Sequence, residues 1–107
     1  MSRMGKRDMA GHRVMPRASG FLDPMQMAEP GAYGRTNLPA SELADHPRLG
    51  WWEVTAPDGT QGSVNPSKHH VIEHEDGTIT ITPSLDYSKL RSGGWHGYLT
   101  RGIFTEV

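Results

Sequence analysis

The side chains of this sequence that could do chemistry are His69, His70, His74 and His96, the hydroxyls and carboxylate of Ser84, Ser88 and Asp86, and a run of cations near the N-terminus. In a strand, His70 and His74 point to one face but stand ~13 Å apart at ~3.3 Å per residue, too far to share a zinc ion whose ligands lie at ~2.0–2.1 Å. His69 and His70 point to opposite faces. A metal site therefore needs His70 or His74 to meet His96 or Asp86 across strands, which the spacing does not supply, and the sequence assigns no metal and no cofactor. Hydrolysis needs an activated nucleophile, and neither a nucleophile elbow nor a carboxylate pair frames Ser84 or Ser88. P-loop and dinucleotide fingerprints are also missing. The reading is a chain that binds and does not catalyse.

The cations are Arg3, Lys6, Arg7, Arg13 and Arg17, opposed within residues 1–20 only by Asp8, which gives +4 there and leaves −5 for the rest of a chain of net charge −1. Such a segment is an electrostatic handle on an acidic protein surface, or on nucleic acid with weak, salt-sensitive, sequence-blind binding. These cations, with His96 and Tyr98, are the expected partner-binding residues.

What must position them is read in three pieces. Residues 1–36 show neither helical nor strand periodicity, hold all six methionines, and are punctuated by Gly and Pro. They are expected to be an extended basic arm, read either as a disordered tail or as an arm that orders against a partner. Residues 37–50 hold Pro39 and Pro47, leaving room for one short helix over Ala40 to Asp45, capped by Ser41 or Asn37 and attached through Leu38, Leu43 and Leu49.

Residues 51–107 carry three hairpin signals and are expected to form the β domain. Asp58-Gly59 places Val54 opposite Ser63. Asp76-Gly77, read as a two-residue type I′ turn, places Ile72 opposite Ile81 and His74 opposite Ile79, so that Ile72, Ile79 and Ile81 share the buried face with His70 and His74. Arg101-Gly102 places Leu99 opposite Phe104 and Tyr98 opposite Thr105, turning Trp95, Leu99 and Phe104 inward and His96 and Tyr98 outward. Gly97, inside that strand, marks a bulge, a close approach or room for an indole. Residues 83–94 read as a long connection. Fold class follows: mainly β, a small antiparallel sheet, sandwich or open barrel built from hairpins, with an N-terminal arm and one short helix.

Composition agrees. Hydrophobic residues are 35%, and 13 Gly with 8 Pro leave part of the chain outside a packed core. The absence of cysteine excludes a disulfide framework and thiolate zinc sites. No apolar run approaches the ~18 residues of a membrane span and no signal-peptide pattern opens the chain. The expectation is a soluble protein made in the cytosol, with no membrane partner.

The segments His74-Glu75-Asp76-Gly77-Thr78, Pro83-Ser84 and Trp95-His96-Gly97-Tyr98-Leu99 are similar to those of a family of small uncharacterised β proteins of bacterial and phage genomes, some labelled ammonia monooxygenase. The likeness covers about the last 40 residues. It implies a compact β domain and a phage origin, and no established activity. Many members carry cysteines that look like zinc ligands near the corresponding strands, and this chain has none. The expected function is a non-enzymatic protein-binding β module, a phage-type accessory or virion component. Its arm would contact neighbouring subunits, capsid or tail proteins among them, in an oligomer or larger assembly. The alternatives are a small inhibitor of a host nucleic-acid enzyme, its acidic domain filling a basic channel, and a metal-binding hydrolase-like domain.

Overall fold

The computed structural model describes residues 7–107. The protein is mainly β. Its strands are β1 (Met9–Ala10), β2 (His12–Val14), β3 (Ala32–Gly34), β4 (Trp52–Thr55), β5 (Gln61–Val64), β6 (His70–Glu73), β7 (Ile79–Asp86), β8 (His96–Thr100) and β9 (Ile103–Glu106). Two short helices, α1 (Pro24–Met27) and α2 (Ala40–Asp45), join them. A five-stranded antiparallel sheet runs β1-β9-β8-β7-β6, and a four-stranded mixed sheet runs β2-β3-β4-β5. Among the described residues no helix is long and apolar enough to cross a membrane.

All three expected hairpins form, but two of them in a register displaced by one residue. The pairs are Val71 with Ile81 and Ile72 with Thr80, and, in the first hairpin, Val54 with Gly62 and Glu53 with Ser63. The reason is local. In both Asp-Gly turns only the glycine takes positive φ, Gly59 and Gly77 each at 87°, whereas a type I′ turn needs it at both positions. The Asp58 and Asp76 carboxylates instead accept the Thr60 and Thr78 amides, and a three-residue loop with its αL glycine replaces the two-residue one. A slip of one residue inverts the faces. Ile79 and Ile81 are buried as expected, but Ile72 is 44% exposed and Val71 packs inward in its place.

The third hairpin has the expected register, Leu99 with Phe104 and Tyr98 with Thr105. Here both turn residues, Arg101 and Gly102, take positive φ. Trp95, Leu99 and Phe104 are fully buried, with Phe104 edge-on to the indole at 5.6 Å. Gly97 makes room for that indole: a Cβ there would meet the Trp95 ring and the Thr105 carbonyl.

Residues 9–34, expected within the arm, enter both sheets. One extended stretch pairs with β9 through Met9 and Ala10, then crosses and runs parallel to β3 through His12–Val14. The crossing is held by the Gly11 amide on the Gly102 carbonyl at 2.7 Å and the His12 amide on the Gly31 carbonyl at 2.9 Å. Tyr33 from β3 is buried in the same main core as Val54, Ile79 and Phe104. Sheet formation therefore does not begin at residue 51. α2 occupies Ala40–Asp45 as expected, but Pro39 stands at its N-cap without a side-chain bond, and neither Ser41 nor Asn37 caps it. β7 extends through Pro83 to Asp86, so the connection to β8 shrinks to residues 87–95.

Candidate protein-binding surface

The expected site residues separate into two groups. Arg3 and Lys6 lie outside the described residues. Arg7 is tied to its own chain: its backbone amide donates to Glu106 Oε1 at 2.6 Å and its Nε to Oε2 at 3.1 Å, while Asp58 lies 3.8 Å from Nη1. Its carbonyl accepts the Trp95 indole N–H at 2.9 Å. Hydrogen bonding from the Arg7 guanidinium holds the Glu106 carboxyl below the ordinary carboxylate range.

Arg13 points between the sheets. From β2 its Nη1 donates to Glu73 Oε2 of β6 at 2.6 Å and to the Gly77 carbonyl at 3.0 Å, and its guanidinium lies 5.0 Å from the centre of the Trp52 ring. The side chain is 23% exposed. Arg13 thus clamps the four-stranded sheet to the five-stranded one, and its cationic head is partnered within its own chain. Arg17 is exposed, its backbone closing a turn with Gly20 and Phe21.

His96 and Tyr98 lie where the sequence placed them, on the outer face of the five-stranded sheet. Alternation along the strands brings to that face Ile72 of β6, Thr80 and Thr82 of β7, Tyr98 and Thr100 of β8, and Ile103 and Thr105 of β9. Tyr98 and Ile103 are each 48% exposed. The outward positions of β6, β8 and β9 hold no Asp, Glu, Lys or Arg. Among the described residues, carboxylates stand at the margins of this face: Asp86 at the end of β7, and Asp8 just before β1, which accepts the Glu106 amide at 2.7 Å. Hydrogen bonds from the Ser88 hydroxyl and amide occupy Asp86 Oδ1 and, against the opposing effect of burial, depress its pKa. The sequence did not disclose Ile72 as part of this surface, because its exposure depends on the displaced register of the β6–β7 hairpin.

On the same face Ser84 Oγ lies 3.0 Å from His96 Nε2, and Asp86 is the register partner of His96. A nucleophile, a base and a carboxylate are therefore neighbours, yet among the described residues no carboxylate hydrogen-bonds the His96 ring, which leaves its tautomer and orientation unfixed from that side. His74 Nε2 lies 2.7 Å from the Thr80 hydroxyl, and His69 Nε2 3.2 Å from the Ser84 carbonyl. No group of three or more His, Asp or Glu side chains that could hold a metal forms among the described residues.

Compared with protein-family models, curated proteins and solved structures, the chain matches none. Fold and surface define the class on their own: a small, mainly β protein of two open sheets, one of which turns a threonine-rich, nearly uncharged face outward.

Proposed function

We propose that the protein is a non-enzymatic β module that works by binding another protein through the outer face of its five-stranded sheet. The observation that carries this reading is the combination of three large apolar side chains, Ile72, Tyr98 and Ile103, exposed at 44%, 48% and 48% on a face whose carboxylates, Asp8 and Asp86, stand at its margins. Solvent-facing strands ordinarily carry Lys and Glu, whereas the centres of protein interfaces are depleted of charge and enriched in Tyr. Five strands at ~4.8 Å and about four residues at ~3.3 Å give a plan area of roughly 300 Å², below the ~800 Å² that each partner contributes to a standard interface. The face alone makes a weak contact. Arg17, with Arg3 and Lys6, would add an electrostatic component from the basic segment.

The likeness of the last 40 residues to small phage and bacterial β proteins supports a partner within a phage-type assembly, a capsid or tail subunit. Photo-crosslinking tests the reading. A benzophenone side chain at position 98 should capture one assembly protein from the native context, and the same group at Ser67, exposed in the β5–β6 loop, should not. Capture from position 67 alone, or from neither position, contradicts it.

A further inference from the structure

Opposite that face, the outer side of the four-stranded sheet carries a groove of about 230 Å³. Phe21, Leu22 and Met27 from the α1 region wall one side, and Leu49 from the 3-10 turn at Pro47–Gly50 walls the other. The floor is Glu53, Thr55 and Gln61 of β4 and β5. Two of those floor groups are committed: the Thr55 hydroxyl donates to the Met27 carbonyl, and Gln61 Nε2 donates to the same carbonyl at 3.1 Å. Glu53 is not. It is half-buried, its Oε2 accepts the Ser63 hydroxyl at 2.8 Å, and no Arg, Lys or His nitrogen among the described residues lies within 4 Å of its oxygens. Arg48, the cation of the groove wall, instead stacks on Trp51, 4.9 Å from the ring centre.

Burial raises the Glu53 pKa, and the Ser63 hydrogen bond and the more distant Arg48 charge offset this only in part. Carboxyls shifted by burial and lying in a cleft recur where an incoming group completes them. The walls are apolar and the volume falls below the roughly 300–1,000 Å³ of pockets for drug-sized ligands, so the occupant is small. We propose that this groove binds a primary ammonium carried on a short apolar body, the nitrogen on Glu53 and the hydrocarbon between Phe21, Leu22 and Leu49. The same chemistry comes from a free alkylamine or from a lysine side chain of a protein partner.

The test is NMR titration of the full chain and of its Glu53→Gln variant with three probes: n-butylamine, n-butanol, and N-acetyl-lysine amide. Amide shifts at positions 21, 49 and 53 should saturate with n-butylamine in the millimolar range, and roughly tenfold more should be needed for the variant. n-Butanol should not saturate them. Saturation by N-acetyl-lysine amide as well supports a protein side chain as the source, whereas saturation by n-butylamine alone supports a free amine. Equal binding to the variant, equal binding of the alcohol, or no saturable shift with either amine overturns the proposal. Glutamine keeps the shape and the Ser63 hydrogen bond, so a dispersed spectrum of the variant separates lost binding from lost fold.

Discussion

Replacing Arg13 by Ala separates a clamp from a handle. If its guanidinium serves the fold, three losses follow together. The hydrogen bond from a charged donor to the Gly77 carbonyl at 3.0 Å is of a kind worth ~1.5–3 kcal/mol. The ion pair with Glu73, whose side chain is 53% exposed, adds ~0.5 kcal/mol. Stacking on Trp52 at 5.0 Å adds ~0.5–1 kcal/mol. The groups share one guanidinium and their contributions overlap, so Arg13→Ala should cost about 2–3 kcal/mol, or roughly 10–15 °C in Tm for a domain of this size. Urea unfolding followed by tryptophan fluorescence reads it as a lower midpoint with unchanged slope. Glu73→Gln removes only the ion pair and should cost less than about 1 kcal/mol. An Arg13→Ala protein within about 0.5 kcal/mol of the parent refutes the clamp and returns Arg13 to the surface.

Other outcomes follow from the same contacts. Deleting residues 1–36 should abolish cooperative unfolding, because it removes Tyr33 from the core and β1, β2 and β3 from the sheets; a cooperative transition in the truncated chain contradicts the placement of that segment. Gly97→Ala should cost about 2–3 kcal/mol, since its methyl overlaps the Trp95 ring and the Thr105 carbonyl, and calorimetry would show a lower Tm. Stability should fall as pH drops from about 5 toward 3. Glu106 is held low by Arg7, and Asp58 is held low because amide bonds from Thr60 and Trp95, with Arg7, outweigh its burial. Both bind protons more readily when unfolded, so their stabilisation is present above the unfolded pKa and is lost as pH falls through the folded one. Arg7→Met should flatten that dependence in urea midpoints measured across the range.

The parts of the fold legible in the sequence are those fixed by neighbours in the chain. Arg101-Gly102 set the register of Leu99 and Phe104, and alternation from there turned Trp95 inward and Tyr98 outward. The Asp-Gly turns announced their hairpins, but the choice between a two-residue and a three-residue loop depends on the Asp58 and Asp76 carboxylates bonding Thr60 and Thr78, which the dipeptide alone does not encode. Residues 7–14 misled for a different reason. Strands of two and three residues are too short to show a period, and what fixes them stands far along the chain: Glu106 and Trp95 for Arg7, Glu73 and Trp52 for Arg13. Read locally, those cations look like an outward handle. Glu53 carried no signal at all, because its half-buried setting is made by the segments around Phe21–Met27 and Pro47–Gly50 packing over β4.

The outer face of the five-stranded sheet is tested most directly by quantitative affinity capture from the native context with the parent chain and a Tyr98→Asp, Ile103→Asp double variant shown to be folded by circular dichroism. Each aspartate puts a charge where an apolar side chain is about half exposed, leaving the core side of β8 and β9 untouched. The parent should retain a partner in fixed stoichiometry and the double variant should lose it by roughly tenfold or more. A partner retained equally by both proteins would place the contact elsewhere on the molecule.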